Sequence, residues 1–285
     1  MSDGADSAGR STTVGLIIGD VANPFYARIA RGAERVLRRA GLQLITASSD
    51  EHPDLEFSQI ADMLDSRVSG LLVVTCRSDH TQLDADPHVP VVFLDRAPED
   101  RKADVVLLDN AGGIRQAVDH LLALGHTRIG LVGDLSRLST HRERVDAFRA
   151  ALADAGIDVP DRYIRTDSHD IVTAERSVWE LLAMDPAPTA LIATNNRITI
   201  GALRAIRESV PAPALVGFDD FELADLLAVS VVAHDPEEMG RLGAEILLGR
   251  IDGDDSPPRR EVLSTRLVAR TSSERPAELG ERGRS

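Results

Sequence analysis

The chain of 285 residues is long enough for two domains of ordinary size, and its 43% hydrophobic and 27% charged residues give a globular profile. Its 32 basic against 46 acidic side chains leave a formal charge of −14, which repels nucleic acid unless a local basic element reverses the field, and no Lys/Arg block is long enough to do so. A lone cysteine, Cys76, excludes an intramolecular disulfide; no export signal and no apolar run near the ~20 residues of a membrane helix is evident, so a cytoplasmic protein without a membrane partner is expected.

Thr13 to Gly41 reads as a complete strand, turn and helix. Val14 to Ile18 is an almost unbroken apolar run, the pattern of a strand covered on both faces of a parallel sheet. Asn23 suits an N-cap, Pro24 a first helical position and Gly41 a left-handed C-terminal residue. Ile29, Ala33, Val36, Leu37 and Ala40 recur at helical spacing. The turn from Asp20 to Tyr26 carries a carboxylate, an amide and two aromatics just past a strand's carboxyl end, where open α/β sheets bind ligands.

Further strands are expected at Leu42 to Thr46, Leu71 to Val74, Val89 to Leu94 and Val105 to Leu108, with helices from Pro53 to Ser66 and Ala111 to Leu124. The pattern then begins again. Gly130-Leu131 followed by Gly133-Asp134 repeats Gly15-Leu16 followed by Gly19-Asp20, and Ala153-Asp154-Ala155-Gly156 closes a second helix as Arg38-Arg39-Ala40-Gly41 closes the first. Strands near 163–166, 190–193, 214–218 and 229–233 alternate with helices near 171–183, 195–207 and 236–250. A last strand is expected over Glu261 to Val268 and a disordered tail from Ser272. Such alternation predicts an α/β fold of two similar lobes with parallel sheets and a cleft between them.

Nearly every strand ends in hydrogen-bonding side chains: Asp20 and Asn23, Ser49 and Asp50, Arg77 and Asp79, Asp95 and Arg96, Asn195 and Asn196, Asp219 and Asp220. Each alone is an ordinary cap or turn residue; together, with Phe25, Tyr26, Phe93 and Phe218 nearby in sequence, they suit a small neutral polyhydroxylated ligand. Arg144 stands out. If Ser139 or Thr140 caps its helix, Arg144 lies in the first turn, where the macrodipole disfavours cations; either a carboxylate partner such as Glu143 or a bidentate grip on ligand oxygens would compensate. No P-loop, G-x-G-x-x-G, G-x-S-x-G or H-E-x-x-H pattern occurs, and the 8 histidines show no metal-ligand spacing, so neither catalytic residues nor a metal or cofactor is expected.

Taken together, VGLIIGDVANPFYARIARGAE, Asp95-Arg96, VVLLDNAGGIRQAVDHLLALGHTRIGLVGD, STHRERVDAFRAALADAG, PTALIATNNRITIGALRAI and ALVGFDDFELADLL resemble the LacI/GalR family of bacterial transcription regulators over about Arg10 to Thr271. The resemblance implies a periplasmic-binding-protein-like core of two Rossmann-like lobes joined by three crossovers, near Asp109/Asn110, near His234/Asp235 and before Glu261, working as a homodimer. The expected division is a residual linker over 1–12, an N-terminal lobe of 13–109 plus 236–252, a C-terminal lobe of 110–235 plus 260–271, and the tail 272–285. It also implies effector contacts at Phe25, Arg144, Asn195 and Asp219, and with the strand-end residues the candidate site becomes Asp20, Asn23, Phe25, Asp50, Asp95, Arg96, Arg144, Asn195, Phe218 and Asp219.

Three departures from the family pattern stand out. Only a short segment ending in AGRSTT, like the end of the family's hinge, precedes the first strand, so the DNA-binding helix-turn-helix is expected to be missing and DNA to be reached only through such a module. Asn196 stands where Asp is common, and His234 where Gln is frequent, either as a structural histidine or as a group titrating near neutrality at a hinge. The function implied is effector sensing for transcription, with a sugar or polyol as effector; the alternative is a solute-binding protein for a small sugar or polyol.

Overall fold

The computed structural model describes residues 12–158 and 160–275, which divide into two α/β units. The first holds the chain up to Leu107 together with Asp235–Leu263; the second holds Leu108–His234 and the segment from Ser264, so the chain passes between them three times. Residues 1–11 of the expected linker and 276–285 of the expected tail lie outside the described residues.

In the first unit β1 (Thr13–Ile18) is buried from Val14 onward, as its unbroken apolar run requires. Helix α1 (Pro24–Arg39) starts where the Asn23 side chain accepts the Phe25 N–H and Pro24 occupies a position whose N–H would go unused. β2 (Gln43–Ser48), α2 (Pro53–Asp65), β3 (Leu71–Val73), β4 (Val91–Leu94) and β5 (Asp104–Leu108) follow. Ile17, Ile60, Met63, Leu71, Val73 and Phe93 pack into one core cluster, joining α2 to the sheet.

The second unit repeats the plan with α3 (Asn110–Ala123), β6 (Ile129–Val132), α4 (Ser139–Asp154), β7 (Ile164–Arg165), α5 (Ile171–Leu182), β8 (Ala190–Ala193), α6 (Asn196–Glu208), β9 (Ala214–Phe218) and β10 (Ser230–Ala233). Its core gathers Val132, Val178, Leu181, Leu191, Ile198, Leu215 and Val231. The chain then returns to the first unit as α7 (Pro236–Ile251) and β11 (Arg260–Leu263), and ends in the second with β12 (Arg266–Val268).

The sheet orders are β11-β5-β4-β3-β1-β2 and β12-β10-β9-β8-β6-β7. Stripped of the late edge strands they are one topology used twice: β1 lies parallel between β2 and β3, as β6 lies parallel between β7 and β8. The order therefore reverses beside β1 in one sheet and beside β6 in the other, and ligands of open α/β sheets bind outside the carboxyl ends at such points. Helix α7 seats on α1 at very short range. A Cβ on Gly32 would stand 2.0 Å from the Glu237 carbonyl oxygen and one on Gly240 1.9 Å from that of Ile29, so only glycine fits at either position.

Three expectations need correction. The single last strand over Glu261 to Val268 is two strands in different sheets, broken at Ser264-Thr265, because the third passage between the units falls there. The tail is ordered at its start: Ser272 Oγ accepts the Ser230 N–H at 2.8 Å and donates to the Leu215 carbonyl at 2.7 Å, and both Ser272 and Ser273 are buried. Helix α4 is capped by neither Ser139 nor Thr140. It begins at Ser139 behind Leu138, without a side-chain cap, which moves Arg144 into the second turn. His141 in the first turn is held below its ordinary pKa, chiefly by burial, so it too is a poor cation there.

Candidate functional site

The rim of the first unit is built at the carboxyl ends of β1, β2 and β4. Past β1, Asp20 Oδ1 accepts the Ala22 N–H at 2.8 Å and Asn23 Oδ1 the Phe25 N–H at 3.0 Å, so both side chains shape the turn that presents Phe25. Phe25 is buried edge-to-face against Tyr26, with ring centroids 5.0 Å apart. Asp50 and Glu51 both have positive φ, of 50° and 56°. This kink leaves Asp50 exposed and buries Glu51.

Arg96 lies in that buried space. Its guanidinium donates to both Glu51 oxygens at 2.8 and 2.9 Å, to the Tyr26 hydroxyl at 3.1 Å and to the Thr75 carbonyl at 3.1 Å. Burial, the largest influence, would lower its pKa, but the Glu51 charge and hydrogen bonds, with Tyr26 and Asp95, together outweigh it and hold the group protonated. Its terminal nitrogens are thus engaged by protein, and Arg96 braces the rim rather than reaching outward. Gly19 makes room for the brace, since a Cβ there would meet Glu51 Oε1 at 2.0 Å. Asp95, at φ 65°, is buried with Oδ2 3.5 Å from Arg96 Nε.

The rim of the second unit joins residues far apart in sequence. Arg144 donates through Nε to Asn110 Oδ1 at 2.8 Å and through a terminal nitrogen to the Thr194 carbonyl, and its Cζ lies 3.8 Å above the centre of the Phe218 ring. Asn110 in turn donates to Glu143 at 2.7 Å. The carboxylate partner expected for Arg144 is therefore reached only through Asn110. Stacking on Phe218 adds roughly 0.5–2 kcal/mol.

Asn195 caps α6 by accepting the Ile198 N–H at 2.8 Å, and its amide donates to Asp134 Oδ2 at 2.8 Å, which sets the orientation of the amide. Asp134 Oδ1 meets His169 Nδ1 at 2.8 Å. Asp219, at φ 70°, takes the Asn196 N–H on Oδ2 at 3.3 Å and His234 Nε2 on Oδ1 at 2.8 Å. Burial acts to raise its pKa; the His234 hydrogen bond and charge, and then the Arg144 charge, outweigh burial and keep the group ionised.

The ten candidates therefore sort by surroundings. Arg144, Phe218 and Asp219 come together directly, and Asn195 is tied to them through Thr194, whose carbonyl holds Arg144. Asp20, Asn23 and Phe25 share one turn, whereas Arg96 is consumed internally. Among the other strand-end residues, Ser49 is wholly buried on the Ile18 carbonyl, Arg77 binds the Pro53 carbonyl and Asp220 lies 3.5 Å from Arg270. Sequence reasoning missed Glu51, Asn110, Asp134 and His169 as builders of the rims. Asp134 was findable, because it is the repeat partner of Asp20; no motif marked the others.

One arrangement has the outline of a hydrolytic triad: Thr75 Oγ1 lies 2.7 Å from His80 Nε2, and His80 Nδ1 lies 2.8 Å from Asp100 Oδ1. The Thr75 hydroxyl also donates to Glu56 at 2.7 Å, and Thr75, His80 and Glu56 are all buried, so no substrate reaches it. Among the described residues no group of three or more His, Cys, Asp or Glu is placed to hold a metal ion, and no helix is long and apolar enough to cross a membrane.

Two sheets of one topology, each ending in a polar rim beside its point of strand reversal, define the class of periplasmic-binding-protein-like domains, and the model of that domain matches residues 118–273. The chain belongs to this family, within its LacI/GalR branch of transcription regulators. It is 30% identical to the HTH-type transcriptional regulator PtxS of Pseudomonas aeruginosa over 275 residues, covering 93% of this chain and 79% of that protein. It is 28% identical to the ribose operon repressor of Escherichia coli over 271 residues, covering 92% and 82%. Among solved structures, the transcriptional regulator CelR–cellobiose complex superposes with a TM-score of 0.83 at 28% identity, covering 92% of this chain and 85% of that one. These relatives are regulators and not enzymes.

Proposed function

We propose that this chain is the effector-sensing core of a cytoplasmic LacI/GalR-type regulator, and that its effector is a small neutral sugar or related polyol. The observation that carries the proposal is the Arg144–Asp219 pair: a guanidinium stacked on the buried Phe218 ring and an ionised acceptor share the carboxyl rim of the second sheet. Carboxylates accept from hydroxyls, amides both donate and accept, and a guanidinium donates to sugar oxygens. Asn195 supplies the amide. In this reading Asp20, Asn23, Phe25, Asp50 and Asp95 contribute the polar rim of the first unit, and binding shifts a conformational equilibrium by the effector's differential affinity for its two states.

The relatives support the sugar: one is named for the ribose operon, and another is described as a cellobiose complex. A homodimer would relay the conformational shift to an N-terminal helix-turn-helix. The alternative, a solute-binding protein for a sugar, shares the fold, and the regulatory names of the relatives weigh against it. The test is a thermal-shift screen of pentoses, hexoses, polyols and nucleosides. A ligand at a hundred times its Kd stabilises by ~2.7 kcal/mol, a rise of several degrees; no shift with any neutral sugar or polyol would overturn the reading.

A further inference from the structure

His234 is the last residue of the second unit before the chain passes to the first, and its side chain is 1% exposed. Asp219 is ionised and so can only accept, which makes His234 Nε2, at 2.8 Å, the donor of their hydrogen bond. The Asp219 backbone is set independently, with its N–H on the Val232 carbonyl at 3.0 Å and φ at 70°. Only the carboxylate can then turn. Its Oδ2 is held by the Asn196 N–H at a loose 3.3 Å, and the Arg144 guanidinium, whose charge also acts on it, lies over the adjoining Phe218 ring.

We propose that His234 is a positioning residue: its Nε2–H pins the Asp219 carboxylate so that the remaining lone pairs accept effector hydroxyls instead of collapsing onto Arg144. This rests on the effector reading above. Histidine does here what a neutral donor of similar reach would also do, and the Phe218 ring lies 6.0 Å from the imidazole centre, tilted by 40°. Asp219, which His234 contacts, also feels the Arg144 charge, and Asn196, the α6 residue whose N–H it accepts, has a neutral side chain.

The full chain carrying His234→Leu, which keeps bulk and removes the donor, is compared with His234→Gln, which keeps a donor. Two readouts are taken: the Asp219 carboxyl titration by carbon-detected NMR without ligand, and D-ribose affinity by calorimetry. In wild type and His234→Gln the carboxyl titrates below its ordinary range; in His234→Leu the midpoint rises, and D-ribose affinity falls about tenfold or more, with His234→Gln recovering most of it. An unmoved midpoint in His234→Leu, or equal losses in both variants, would overturn the proposal. A wild type that ignores D-ribose counts against the effector reading, and the ligand-free titration still decides the His234–Asp219 coupling.

Discussion

Asp134 holds Asn195: the carboxylate ending β6 accepts the Asn195 amide at 2.8 Å across the point where strand order reverses. The Asn195 side-chain oxygen is occupied by the Ile198 N–H, so the amide cannot flip without losing both bonds. Replacing Asp134 with Ala should leave the α6 cap in place and cost effector affinity about tenfold, measured by calorimetry with D-ribose; unchanged affinity would detach Asn195 from the site.

Arg144 combines two acceptors and a ring, and a lysine cannot reproduce that geometry. Both Arg144→Ala and Arg144→Lys are expected to abolish sugar-induced thermal stabilisation. Their circular dichroism should match wild type, since the helix carrying the residue is anchored by Phe148 and Leu152 in the core. Retained stabilisation in the lysine variant would reduce the role of Arg144 to charge alone.

Arg96 is predicted to matter for folding and not for selectivity. Removing one partner of a buried ion pair leaves the other uncompensated, so Arg96→Ala and Glu51→Ala should each cost ~3–5 kcal/mol in urea unfolding. The Arg96→Met/Glu51→Leu double variant should cost clearly less than the two single losses added together. Additive losses would mean that the two side chains are not coupled.

Glu56 gives the stability an acid dependence. Burial raises its pKa, but the His80 imidazole 3.6 Å away and the hydrogen bonds from the Cys76 N–H and Thr75 together outweigh that, and the group is held below its ordinary value of 4.5. A carboxyl with a depressed folded-state pKa contributes stability above its unfolded value and loses it as pH falls through the folded one. Denaturant titrations between neutrality and acid should therefore show wild type losing more stability below that ordinary value than Glu56→Gln. Parallel losses would remove Glu56 from the account.

Much of this was legible in sequence because repetition and periodicity are local. The Gly19-Asp20 and Gly133-Asp134 echo marks two sheets with the same strand order, and the run Val14 to Ile18 marks a buried strand. The braces were not legible. Glu51 and Arg96 meet over a separation of 45 residues, and nothing in either neighbourhood says which of Asp50 and Glu51 turns inward; the positive φ of both decides it. The split of Glu261 to Val268 into two strands was hidden for a related reason, since alternation reports a strand and not the sheet it joins. Ser272 and Ser273 read as a polar tail because their partners, Ser230 and Leu215, lie on other strands.

The central claim is that the effector sits on the carboxyl rim of the second unit, and hydrogen–deuterium exchange with and without saturating D-ribose tests it most directly. Protection is predicted at Gly133–Asp134, Thr194–Asn196 and Phe218–Asp219. Protection confined instead to residues 185–189 and 208–213, which line an open cavity of about 600 Å³ near the opposite ends of β8 and β9, would contradict it.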